Sequence, residues 1–172
     1  MRNLYIIILF SLSFFLSFSL SSSLYSQTEL KEVGVRGGYS GGFIFRVTLE
    51  EDLSYEGQVN YRDHGAIVTL IRQQHRELGM DKGGNWDFIY GFGAHAGFYF
   101  TDRYRVLFRD IYYNRELFTP VVGFDGYMGI DYQLVNVPIT FGLSYQPFME
   151  ISLKQVFGIN LWDFGFNVRY RF

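Results

Sequence analysis

Residues 86–100 read WDFIYGFGAHAGFYF and divide into two unlike rows. Trp86, Phe88, Tyr90, Phe92, Ala94, Ala96, Phe98 and Phe100 make one row; Asp87, Ile89, Gly91, Gly93, His95, Gly97 and Tyr99 make the other. Successive side chains of a β-strand point to opposite faces, so a period of two marks an extended segment whose faces meet different surroundings.

The same alternation recurs along the chain, with almost no helical period. Leu53, Tyr55, Gly57, Val59 and Tyr61 oppose Ser54, Glu56, Gln58, Asn60 and Arg62. Val122, Phe124, Met128, Ile130 and Tyr132 oppose Gly123, Asp125, Tyr127, Gly129 and Asp131, and Ile139, Phe141, Leu143 and Tyr145 oppose Thr140, Gly142, Ser144 and Gln146. Clusters of Gly, Pro, Asn and Asp separate eight runs, predicted as strands at 32–39, 42–49, 53–62, 65–76, 86–100, 121–133, 138–153 and 160–172. Val33 to Leu49 reads either as one long strand bulged at Tyr39-Ser40-Gly41-Gly42 or as a hairpin. An even count, which closes an antiparallel barrel with both termini at one end, favours the hairpin. Strand four does not declare its faces, because both of its rows mix apolar and polar residues.

The chain has 172 residues, the length of one domain. A net charge of −2 with 19% charged residues implies no polyanionic partner and argues against disorder. Residues 1–26 have the layout of a secretory signal peptide. Met1-Arg2-Asn3 starts positive, Leu4 to Leu20 is apolar apart from Ser, and Ser21 to Ser26 supplies small residues for cleavage after Ser26, or alternatively after Ser23. A leader retained as a membrane anchor is the alternative, disfavoured because the chain turns abruptly polar from Gln27, and residues 27–172 hold no apolar run near the ~20 residues of a spanning helix, which excludes a helix-anchored inner-membrane protein. The absence of cysteine excludes a disulfide scaffold and a lipidated Cys.

Alternation alone does not say which row faces inward. A soluble lipocalin-like barrel would enclose the aromatic row around a ligand. Three features favour the inverted arrangement of a transmembrane β-barrel. Large aromatics stand toward strand ends with small residues between, as in Trp86, Phe88 and Tyr90, then Ala94 and Ala96, then Phe98 and Phe100, the profile of two interfacial girdles. The charged row is rich in Gly and in Arg (12 Arg to 3 Lys in the chain), and Arg suits buried bidentate pairing. Asp125 and Asp131 lie on the inner row at two depths and need partners across a narrow lumen.

The C-terminal Phe172, with Tyr170, Val168, Phe166 and Phe164 at alternate positions, resembles the terminal-strand assembly signal of bacterial outer-membrane barrels. Residues 30–172 are similar to small eight-stranded barrels of the OmpA/OmpX type, and most similar to uncharacterised Bacteroidetes outer-membrane barrels through Gly34-Val35-Arg36-Gly37-Gly38-Tyr39, residues 90–97 and residues 123–129. The resemblance implies an eight-stranded antiparallel up-and-down barrel in the bacterial outer membrane. It further implies insertion by the barrel-assembly machinery and contact with lipid and lipopolysaccharide. No peptidoglycan-binding domain follows residue 172 in this sequence, so a wall-anchoring role has no support in it.

The predicted inner row collects Glu32, Arg36, Arg46, Glu56, Arg62, Asp87, His95, Asp125, Asp131, Asp163, Arg169 and Arg171. Unpaired charges in so narrow a lumen would cost several kcal/mol. These groups read either as a gated ion pathway or as a plug, and the plug is preferred because eight strands leave an interior that side chains just fill. His95 with Ser144 or Glu56 raises the alternative of a lipid-modifying enzyme. There is no His-x-Ser motif, however, and Ser144 lies two strands from His95, so a hydrogen-bonded filler is expected and no catalytic residue is assigned. His64, His75 and His95 lack metal-ligand spacing, and Gly91-x-Gly93 lies inside a strand with no helix after it, which is no dinucleotide site. No metal and no cofactor is expected.

Thr101 to Pro120 is the longest predicted connection, with Arg103, Arg105, Arg109 and Arg115 among aromatics that include Tyr112 and Tyr113. It reads as an extracellular ligand or polysaccharide contact or, preferably, as a hairpin prolonging strands five and six, with Arg on lipopolysaccharide phosphates. The function expected is that of a monomeric, non-enzymatic barrel supporting envelope integrity or surface contact.

Overall fold

The computed structural model describes residues 30–50, 52–62, 64–80, 83–106, 109–152 and 157–172; of residue 80 and residues 101–117 the backbone alone is described. The leader read at 1–26 lies outside these residues, as do residues 153–156.

Ten ladder segments build eight antiparallel strands: β1 (Leu30–Gly38), β2 (Gly41–Glu50), β3 (Leu53–Arg62), β4 (Gly65–Met80), β5 (Gly84–Val106), β6 (Arg109–Leu134), β7 (Ile139–Tyr145) with β8 (Phe148–Ser152), and β9 (Gly158–Asn160) with β10 (Phe164–Arg171). Each strand pairs with the next, and β10 pairs with β1, Val35 facing Val168, so the sheet closes on itself. Closure of β10 on β1 removes the free edges that an open sheet would keep at β1 and β10.

β7 and β8 are two halves of the seventh strand. Both pair with β6 in one unshifted register, with Met128 opposite Tyr145 and Asp125 opposite Phe148. Pro147 has no N–H to give, which interrupts the ladder, while its carbonyl still accepts from the Gly126 N–H at 2.8 Å.

β9 and β10 form the eighth strand, and here the register slips by one residue between Asn160 opposite Phe148 and Phe164 opposite Tyr145. Leu161 and Trp162 therefore both face out, and Asp163 turns fully inward. The slip acts as a bulge, a device that re-aims a side chain. The sequence predicts an unbroken strand at 160–172, so this is a correction.

Elsewhere the predicted strands correspond to observed ones: strand three has the predicted bounds, strands four to six run longer, and the predicted strand at 138–153 is interrupted at Gln146-Pro147. β1 and β2 are separate strands joined at Tyr39-Ser40, which settles the choice in favour of the hairpin. The connection predicted at Glu77 to Asn85 shrinks, because β4 runs to Met80 and β5 starts at Gly84. Most of Thr101 to Pro120 is also ladder, with Arg103 opposite Tyr112 and Arg105 opposite Asp110. Aromatic and β-branched residues favour extended backbone there, and pairing satisfies backbone groups that a long free loop would leave to solvent.

The two faces are inverted relative to a water-soluble barrel. Among the described residues, 25 polar or charged side chains are buried against 8 apolar ones, and 34 large apolar side chains are exposed. The buried apolar residues include two small fillers, Ile67 with Tyr99 and Val121, and Ile71 with Ile89 and Tyr127. Ile67 and Ile71 explain the ambiguity of strand four, whose inner row is Gly65, Ile67, Thr69, Ile71 and Gln73 while Arg72 and Arg76 point outward. The aromatic residues are not confined to strand ends. Phe92, between Tyr90 and Ala94, is 66% exposed, so the expected small-residue middle is only partly present.

Candidate functional site

Among the described residues, the barrel interior holds charge-paired side chains in three networks along the axis, with apolar fillers beside them. The central one is built on two arginines from strands that are not neighbours. Arg46 on β2 donates from Nη2 to Glu56 Oε2 at 2.6 Å and from Nη1 to Asp131 Oδ2 at 2.8 Å, with Glu32 Oε2 at 3.4 Å. Arg169 on β10 donates from Nε to Glu32 Oε2 at 3.1 Å and from Nη2 to Asp131. Glu32 and Asp131 are thus each shared between two guanidiniums, and side chains from β1, β2, β3, β6 and β10 are tied together across the lumen. The neutral groups complete the set: Thr140 donates to Glu32 at 3.0 Å, Gln58 to Glu56 at 2.7 Å and Asn60 to Gln58 at 2.7 Å.

A second network lies toward the end that carries the β1–β2, β3–β4 and β5–β6 turns. Arg62 donates from Nε to the Tyr99 hydroxyl at 3.0 Å and from Nη2 to Glu150 Oε2 at 3.2 Å, and Tyr99 donates to the same oxygen at 2.9 Å. The Arg62 guanidinium carbon stands 3.7 Å from the Phe148 ring centroid, a cation–π contact in a desolvated place. His95 sits between two carboxylates, its Nδ1 2.7 Å from Asp125 Oδ2 and its Nε2 3.4 Å from Glu150 Oε2. Beside it, Asp163 receives Arg36 Nη2 at 2.8 Å and the Ser40 hydroxyl at 2.6 Å. That pairing exists because the bulge after β9 turns Asp163 inward at the level of the β1–β2 turn.

The third network is at the end that carries both chain ends. Arg171, half-buried, donates to Gln133 Oε1 at 2.9 Å and to the Leu134 carbonyl at 2.6 Å, Gln133 donates to Asp87, and Asn85 donates to Asp87 at 3.2 Å. A polar mouth of about 860 Å³ opens here, lined among others by His75, Asp87 and Gln133, with Glu32 and Arg46 of the central network also on its wall.

Inner-row glycines give these side chains room. A Cβ on Gly123 would collide with the Met149 carbonyl oxygen and stand 2.5 Å from the His95 ring, one on Gly165 would meet Arg36 Nε at 2.6 Å, and one on Gly142 would collide with Asp131. Gly123→Ala is therefore expected to push His95 off Asp125 and to cost about 1–3 kcal/mol, the usual penalty of overpacking. Chemical unfolding measures the loss. An unchanged midpoint would mean that the His95–Asp125 contact is not held in place by this clearance.

All of the interior residues named from sequence lie on the inward face, every one of them buried except Arg171. The pairing brings Arg46 and Arg169 to one acidic cluster and Arg36 and Arg62 to another. It does not bring His95 to Ser144 or Glu56: Ser144 Oγ accepts from Arg36 Nε at 3.4 Å and donates to the Gly165 carbonyl, and Glu56 is held by Arg46 and Gln58. Among the described residues, no group of His, Asp and Glu could hold a metal ion.

The sequence reading left out Glu150, a seventh carboxylate, although the alternation through Met149 and Ile151 extends the inner row to it. Arg103, Arg105, Arg109, Tyr112, Tyr113 and Arg115 lie on the β5–β6 hairpin, and their side chains are outside the described set. Phe164, Phe166, Tyr170 and Phe172 are exposed on the outer face, and Val168 is half-exposed between them. No protein-family model and no curated protein matches the chain.

Proposed function

We propose that this chain is an exported outer-membrane protein of the OmpA/OmpX-like, Bacteroidetes type. It spans the bilayer with its eight strands and carries no enzymatic activity. Its interior is closed by paired side chains, and its role is to support envelope integrity and surface contact. The carrying observation is the inverted surface: an apolar outer face around a closed sheet, with charges paired inside. A bilayer is the solvent in which that surface is stable, since exposed apolar area on this scale drives association in water. The β5–β6 hairpin, the longest in the barrel, faces outward from the cell, and the end carrying Leu30 and Phe172 faces the periplasm. The barrel-assembly machinery inserts the chain, lipid and lipopolysaccharide surround it, and the folded protein is a monomer.

Fractionation and mild-detergent electrophoresis test this reading. The protein is expected in the outer-membrane fraction, with a band whose mobility changes on boiling as the closed barrel opens. Recovery as a freely soluble periplasmic protein would contradict it.

A further inference from the structure

The outer face of β4 changes character partway along. Val68 and Leu70 give way to Arg72, Gln74 and Arg76 at successive outward positions. The ladder sets these three against Tyr55 and Leu53 of β3 and against Phe92, Tyr90 and Phe88 of β5, so each cross-strand neighbour is apolar or aromatic. Beyond the backbone ladder, no hydrogen bond or ion pair from the described residues reaches the side chains of Arg72, Gln74 or Arg76.

Beside them a hollow of about 370 Å³ runs across the outer face, walled by Arg72, Gln74, Tyr90, Phe92, Met128 and Pro147. Gly126 keeps it open: a Cβ there would meet nothing closer than Pro147 at 3.4 Å, so no packing constraint demands a glycine. The polar stripe runs toward the β4–β5 turn, at the end that carries the chain ends.

An arginine on a lipid-facing barrel wall is unfavourable by an amount that depends on its depth, and pairing removes the penalty. The anion a bilayer supplies is a lipid phosphate, which the guanidinium fork matches with two parallel hydrogen bonds. Arg76 stands at the rim of the polar mouth that Asp52, Glu77 and Asp87 also line, whereas the hollow that Arg72 lines has no carboxylate in its wall, and a guanidinium there favours a headgroup that brings no ammonium of its own.

We propose that Arg72, Gln74 and Arg76 bind the phosphate of one anionic phospholipid from the periplasmic leaflet, with one of its acyl chains lying in the hollow over Gly126. This rests on the membrane-spanning reading above.

The test is native mass spectrometry of the barrel refolded into vesicles of equal phosphatidylglycerol and phosphatidylcholine and then released into mild detergent. One phosphatidylglycerol should stay bound, enriched about tenfold over phosphatidylcholine, which offers the same phosphate but adds an ammonium that the guanidiniums repel. Arg72→Gln should abolish the enrichment, and excess inorganic phosphate should leave it intact. Gly126→Leu, which fills the hollow without touching charge, should lower the retention of both lipids.

No enrichment in the natural sequence, or enrichment undiminished in Arg72→Gln, would overturn the site. So would a doubled mass that Arg72→Gln returns to that of a single chain, since the stripe would then be a contact between copies. Boiling-dependent mobility is read on the same samples. A barrel that inserts without lipid preference overturns only the lipid site, whereas a chain that fails to insert overturns the membrane reading as well.

Discussion

Arg46→Leu is expected to destabilise the barrel by about 3–5 kcal/mol, the cost of breaking a buried ion pair from one side. The residue is 1% exposed and faces three carboxylates, those of Glu56, Asp131 and Glu32. Without it, Glu32 and Asp131 share Arg169 alone, and Glu56 loses both of its guanidinium hydrogen bonds. Leucine fills part of the space but offers no donor, so three acids remain desolvated and under-paired. Urea unfolding in detergent or lipid reads the loss. Planar-bilayer recordings on the same variant distinguish a plug from a gate: a plug is weakened without gaining steady conductance, because the remaining interior side chains still fill the lumen. A large conductance with unchanged stability would show that Arg46 is a gate on a formed pore.

Leu143→Arg is expected to cost about 2–4 kcal/mol in a bilayer, the penalty measured for a guanidinium near the middle of a lipid-facing barrel wall. Leu143 is 63% exposed, with Ile130 and Phe166 beside it on the ladder and Phe141 and Tyr145 along its own row. On a surface facing water, the same change touches no buried group and belongs to substitutions worth within about 0.5 kcal/mol. The two outcomes lie several-fold apart, so unfolding of the refolded variant in vesicles decides between them. Thr140→Val, on the opposite face of the same strand, should destabilise for another reason, the loss of the donor to Glu32.

Much of this architecture was legible in the chain because a strand writes its two faces alternately, and here the faces differ sharply. Leu53 to Arg62 needed nothing beyond parity: its even positions are buried and its odd ones are half-buried or exposed. Strand four was illegible because a narrow lumen needs apolar filler as well as charge. Ile67 and Ile71 take the inner row there, while Arg72 and Arg76 take the outer one. The interior charges could be enumerated but not paired. Arg46 and Asp131 stand 85 positions apart, and only closure of β10 on β1 sets which residues meet across the lumen. Asp163 was placed on the inner row by parity, but the bulge before it, which decides that it meets Ser40 and Arg36, leaves only two adjacent outward residues, Leu161 and Trp162, as its trace. Large rings are not confined to the strand ends, since Phe92 also stands exposed midway along the barrel part of β5.

The central claim is that the outer face meets lipid and the inner face does not. The chain contains no cysteine, so single-cysteine variants can be spin-labelled without removing any natural thiol. Labels at Val59, Leu143 and Phe166, all outward and exposed, are read in refolded vesicles for collision with oxygen, which dissolves in lipid, and with a water-soluble nickel chelate. High oxygen and low nickel accessibility at all three is the predicted result. Nickel accessibility equal to that of a label on an exposed turn, such as Asn136, would contradict it and return the chain to water as a soluble barrel.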